Sequence, residues 1–308
     1  MNSLSRGLKH FSPPSIPALP RAFVRQSVLS ALGLILLLGL CPTRADENLF
    51  GYTYTTDVLP KGKWEVEQWV TGRTGKESGS YLGMDFRTEI ETGLTDRLQG
   101  SLYLNYNYHR LKNAQGSEEM FDDRNRFGIS GTSMEFKYQV LSPYKDRFGL
   151  ALYLEPGYGT IHKTGGERFD EFELEFKLIL EKHWREDRLV GTFNYTVEPE
   201  WEKASGESGY ETNLQMEWST GLSYRIASHW NVGLETRVHT EFADADLNQS
   251  SFVSAFVGPN IHYGRGHWWA TLAVLPQVFG WPDARGKGGL HFDEHERVEV
   301  RLKVGFNF

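Results

Sequence analysis

Residues 81–94, YLGMDFRTEIETGL, alternate without a break. Leu82, Met84, Phe86, Thr88, Ile90, Thr92 and Leu94 make one largely apolar face, and Tyr81, Gly83, Asp85, Arg87, Glu89 and Glu91 make a charged one. After a turn at 95–97 the alternation resumes over 98–111. Leu98, Gly100, Leu102, Leu104, Tyr106 and Tyr108 fall on one side, and Gln99, Ser101, Tyr103, Asn105, Asn107 and His109 on the other. A period of two sustained this long predicts strands. Strands of soluble proteins run about five or six residues. A tilted strand crossing an apolar band of about 25 Å needs roughly ten. Register is strongly specified, because a slip of one residue would turn Asp85, Arg87, Glu89 and Glu91 toward lipid, at about 2–4 kcal/mol for a base at mid-membrane.

The same pattern predicts strands at 63–73, 81–94, 98–111, 127–140, 148–161, 171–184, 188–201, 212–226, 230–241, 251–263, 267–281 and 295–308. A polar lead-in at 46–61 precedes them. Short connections at 95–97, 142–147, 185–187, 227–229 and 264–266 alternate with long ones at 71–80, 112–126, 162–170, 203–211, 243–250 and 282–294. An even strand count with two kinds of end predicts an all-β, antiparallel up-and-down transmembrane β-barrel of about twelve strands, with periplasmic turns, extracellular loops and both termini on the periplasmic side. Trp64, Trp184, Trp201, Trp230, Trp268 and Trp281 fall near strand ends, as aromatic girdles do.

Composition narrows the class. The chain has 308 residues, 39% hydrophobic and 24% charged, with a net charge of -7. Its mean hydropathy of -0.47 disfavours helical spans. The one long apolar run, 28–40, follows Arg21 and Arg25 and precedes Thr43-Arg44-Ala45. It is too short to span as a helix and matches the core of a signal peptide, so 1–45 is expected to be a cleaved leader and 46–308 the barrel domain. Cys41 follows Leu40, where a lipid-anchored leader wants a small residue, so no anchor is expected and the mature chain carries no thiol.

Candidate chemistry lies on the inward face. The predicted lumen-lining residues are Asp85, Arg87, Glu89, Glu91, Glu135, Lys137, Glu173, Glu175, Lys177, Glu217, Glu235, Arg237, Arg297, Glu299, Arg301 and Lys303, joined by Glu65, Glu67, Glu155 and Arg225. Acids outnumber bases there. Either neighbouring strands pair these charges into a filled lumen, or water reaches an acid-rich wall that favours cations. The run 291–296, HFDEHE, carries metal-ligand chemistry but sits in an irregular loop and is read as solvated charge; no metal and no cofactor are expected. Residues 280–287 miss the phosphate-loop spacing by one position. A His-x-Ser-Asn-Gly run, the mark of barrel phospholipases, is absent, so no catalytic residues are assigned. Net acidity without a basic stripe argues against nucleic acid.

The last six residues, KVGFNF, resemble the C-terminal signal by which the barrel-assembly machinery of Gram-negative bacteria recognises outer-membrane proteins, with Lys303, Gly305, Phe306 and Phe308 as its elements. Segments 59–67, LPKGKWEVE, and 93–99, GLTDRLQ, resemble the opening hairpins of uncharacterised outer-membrane families counted as porins or as channel-like proteins linked to aromatic-compound degradation. The resemblance implies a barrel and suggests transport. The expected partners are the outer-membrane bilayer, the assembly machinery and small solutes. The expected function is a channel or facilitator for small polar or ionic solutes, cation-preferring; the alternatives are a non-conducting interaction barrel and, behind it, an enzyme.

Overall fold

The computed structural model describes residues 48–282 and 289–308. Every regular element in them is a strand. In chain order these are β1 (Trp64–Thr74), β2 (Ser78–Gly93), β3 (Leu98–Gln115), β4 (Arg124–Leu141), β5 (Gly149–Ile161), β6 (Arg168–Trp184), β7 (Leu189–Ala204), β8 (Glu211–Ala227), β9 (Trp230–Ala243), β10 (Ser250–Arg265), β11 (Trp268–Trp281) and β12 (Val298–Asn307). Each pairs with its sequence neighbours, and β1 closes on β12. The fold is the expected antiparallel twelve-stranded barrel, and closure leaves no edge to protect. The leader expected at 1–45 and residues 283–288 lie outside the described residues.

The two faces keep the identities read from the sequence. Gln99, Ser101 and Tyr103 of β3 are buried inside, while Leu102 and Leu104 stay exposed on the outer wall. Cross-strand register matches like with like: Val66 faces Ile90 across β1–β2 and Phe306 across β1–β12. The six Trp named above are all exposed at strand ends, whereas Trp69 and Trp269 turn inward and are buried.

Loop lengths differ from expectation at two places. The first connection, expected over 71–80, spans only 75–77, because β1 and β2 stay paired out to Thr74–Leu82 and β2 runs on against β3 as far as Ser78–Gln115. At the opposite end, 142–148 is longer than that loop, so the two ends do not sort strictly by length. The other connections of the long-loop end are 116–123, 162–167, 205–210, 244–249 and 282–297.

The lead-in is not an external tail. Residues 48–59, the strap, lie within the barrel, with Phe50 and Leu59 both 0% exposed. Nor is 291–296 solvated charge, since His291, Asp293, His295 and Glu296 are all buried. Both segments are polar enough to read as surface, yet the lumen wall offers each of them hydrogen-bond partners that replace water.

Candidate functional site

The inward side chains divide the lumen into a packed half and an open half. At the short-turn end the strap fills the bore. Asn48 Nδ2 donates to Glu67 Oε1 at 2.9 Å. The amides of Gly51 and Tyr52 donate to Glu235 at 2.8 Å, and that of Thr53 at 3.1 Å. Asn194 of β7 holds Tyr54 from both sides, accepting its amide at 2.6 Å and donating to its carbonyl at 3.0 Å. The amide of Thr56 reaches Glu181 of β6 at 2.6 Å, and that of Leu59 reaches Gln99 of β3 at 2.8 Å. Phe50 fits only because Gly221 has no Cβ, which would stand 2.5 Å from its ring.

Around the strap, charged groups are packed shut. Glu65, Glu67, Glu89, Glu91, Glu135 and Glu235 are at most 3% exposed. Neutral donors reach four of them: Trp69 Nε1 to Glu67 at 2.5 Å, Trp269 to Glu65, Gln99 to Glu91 and Tyr103 to Glu135. Lys303 lies 3.7 Å from the Trp69 ring centroid and 5.1 Å from that of Tyr54. A buried charge without such donors or rings would cost several kcal/mol, on the order of the whole net stability of a small domain.

Above the strap lies a cavity of about 320 Å³, floored by Tyr52, Tyr54 and Trp69. A belt of bases circles this floor, and most of them are paired. Arg87 meets Glu155, Lys177 meets Glu175 at 2.5 Å, and Arg237 meets Glu217 at 2.6 Å and Glu299 at 2.8 Å. Arg301 differs. It donates to Thr71 Oγ1 at 2.8 Å and stacks 3.9 Å over Tyr52.

One wall of the cavity, on β6 and β7, is acidic. Glu171 and Glu173 face Glu202 and Glu200 across the ladder, and Glu198 stands beside them. Among the described residues no base forms an ion pair with any of these five. Gly157 and Gly159 of β5 give the Glu173 and Glu171 carboxylates room that any Cβ would take.

At the long-loop end, 289–297 and 162–167 close one side of the mouth. Arg73 Nε bonds Asp85 at 2.7 Å, and Lys76 donates to the carbonyls of Asp293 and His295, both at 2.9 Å. Burial pushes the Lys76 ammonium down from its ordinary range. Burial also acts on Glu296, but Arg73 and Lys76 outweigh it and hold that carboxyl low. His295, desolvated, is kept neutral well below its ordinary range. In the 162–167 loop, burial opposes charge on His162, yet its bond to Glu167 and the nearby Glu294 prevail and lift it to about 9. Glu167 is held at about 2 by the same partner, against its own burial.

Of the predicted lumen residues, Asp85, Arg87, Glu173, Glu175, Lys177, Glu217, Arg237 and Arg301 line the open cavity. Glu89, Glu91, Glu135, Lys137, Glu235, Glu299 and Lys303 point inward but are packed. Arg297 does not line the lumen: β12 begins only at Val298, and Arg297 is exposed at the rim, 4.7 Å over Phe292. Sequence reasoning missed Glu198, Lys163 and His239. Parity along β7 and β9 could have found two of them; Lys163 arrives on a folded-in loop. At the C-terminus, Gly305 makes room for Glu65 and Trp269, and the Phe308 amide caps the Trp64 carbonyl at 2.9 Å.

Among the described residues, four acid-rich groupings bring ligand atoms within 4.8 Å of one another, one of them His295, Glu296 and Glu299. In that one the carboxylates are already engaged by Arg73, Lys76 and Arg237.

Residues 42–308 match the model of a family of unknown function, DUF6662. The COG4313 outer membrane channel from Pseudomonas putida F1 has a similar structure, with a TM-score of 0.58 at 9% identity, over 82% of this chain and 98% of that one. The KdgM porin, at 0.45 and 10% identity, covers 79% of this chain and 99% of its own. LpxR from Salmonella typhimurium, at 0.44 and 10%, covers 80% and 100%. No curated protein matches the chain in sequence. The first of these likenesses shows a shared outer-membrane barrel fold.

Proposed function

Because the chain belongs to the DUF6662 family and folds as an outer-membrane barrel with a partly open lumen, we propose that it is a channel or facilitator for small polar or ionic solutes, with a preference for cations. Transport of this kind needs no catalytic residue. The protein would reach the bacterial outer membrane through a cleaved leader and the barrel-assembly machinery, with its short turns in the periplasm.

The observation that carries this reading is the β6–β7 wall. Facing side chains on paired strands stand about 5 Å apart. Two charges at that distance repel by about 3 kcal/mol at an effective dielectric of 20. That is several times thermal energy, and a cation entering the cavity beside Glu171, Glu173 and Glu198, none of them ion-paired among the described residues, relieves it. The packed short-turn half favours the second reading, a barrel filled with charge that does not conduct.

Reversal potentials across a salt gradient, on refolded protein in planar bilayers, separate the two. Cation preference that weakens when Glu173 and Glu198 become Gln is expected. Anion preference, or closure under all voltages with the strap removed, overturns the channel.

A further inference from the structure

The strap is bound as a ligand is bound. It adds no strand to the barrel, and among the described residues its main chain is held by wall side chains. Glu235 shows this most clearly. One carboxylate, 0% exposed, accepts three successive amides of the strap, and its Oε1 also takes Asn260 Nδ2 at 2.8 Å. Carbonyls are read as well: Asn48 by Thr271 at 2.5 Å, Tyr54 by Thr192 at 2.7 Å, and Thr56 by Gln139 at 3.0 Å.

Alternate side chains enter separate pockets. Tyr52 packs with Phe256, Ala273 and Leu275, and Tyr54 with Trp69, Tyr153 and Ile179. Phe50 takes the space left by Gly221. Backbone groups read along the length, with side chains fitted at every second position, are the recognition pattern of an extended peptide.

We propose that the short-turn half of the lumen is a binding track for an extended peptide with aromatic residues at alternate positions, that its resident ligand is the chain's own 48–59 segment, and that release of this segment opens the barrel. The last clause rests on the channel reading above. Release is feasible because the wall groups that read the strap are polar, so water can take over their bonds when it leaves. The apolar anchors Phe50 and Leu59 oppose release and keep the closed state favoured.

The test uses a barrel with 48–59 deleted, checked for folding by its β-sheet circular dichroism, and a capped synthetic peptide of sequence NLFGYTYTTDVL. The peptide is expected to quench or shift the fluorescence of Trp69 on binding, and to lower the conductance of the deleted barrel. A scrambled peptide should do neither. Glu235→Gln in the deleted barrel should weaken the peptide about tenfold, since an amide presents a donor where the carboxylate accepted.

A folded barrel that ignores the peptide removes the track, even if it conducts. Peptide binding without conductance upholds the track and removes the channel. Should the deletion not fold, Gly221→Val in the full chain is expected to evict Phe50 and expose Tyr52 and Tyr54 to chymotrypsin. Protection equal to that of the unaltered chain would overturn the proposal.

Discussion

Arg73 and Glu296, 223 positions apart in sequence, meet at 2.8 Å with both side chains 1% exposed. The pair joins β1 to the last long loop, and Asp85 and Lys76 complete a four-residue knot. Removing Arg73 leaves Glu296, 1% exposed, with Lys76 as its remaining cation at 3.5 Å, while Asp85, 29% exposed, still reaches the cavity. Arg73→Met is expected to cost about 3–5 kcal/mol, read as a lower urea midpoint, and to open 289–297 to protease. An unchanged midpoint would show that the knot contributes nothing.

The 162–167 loop should loosen at both pH extremes. His162 is raised to about 9, so its contribution is complete below its free value near 6.5 and is lost as pH rises through about 9. Glu167 is lowered to about 2, so its contribution is complete above its free value near 4.5 and is lost as pH falls through about 2. Amide exchange at 163–166 should therefore be slowest near pH 5–6 and rise toward pH 9, once the intrinsic rate is divided out. His162→Asn should abolish the alkaline rise; a rise that survives it assigns the effect elsewhere.

Orientation in the membrane has its own check. Gly206 has open space around it, whereas Gly116 is packed against Asp293, so an epitope belongs at Gly206. Labelling of intact cells is expected there and absent at Asp187. The opposite result inverts the barrel, and labelling at both sites removes the two-ended topology.

Phe308 should matter to assembly more than to the finished barrel. Its side chain is 44% exposed and its amide makes one bond to Trp64. Phe308→Ser is expected to cost under about 1 kcal/mol in the refolded protein, yet to lower outer-membrane yield several-fold. Equal yield would leave the resemblance of the last six residues without a role.

Strands, faces and order of pairing were legible along the chain, because each is a local property. Period-two alternation sets which side chains share a face, and turn residues set where pairing reverses. The inward set over 81–91 and 298–307 therefore followed from parity alone. What could not be read is which of those charges meet water. Glu89 and Glu173 look alike in sequence, each an inward acid amid alternating residues. One is sealed near the strap, and the other lines an open cavity. That difference depends on what fills the lumen, and the filling comes from 48–59 and 289–297, segments without a strong period of their own. The alternation of Phe50, Tyr52 and Tyr54 was a trace of it, but alternation does not say which wall a segment will meet. A segment is taken into a lumen only when the closed barrel presents amide acceptors, carbonyl donors and vacant pockets in matching order. Those groups come from strands far apart in sequence, so the tertiary structure alone decides where the protein is packed and where it is open.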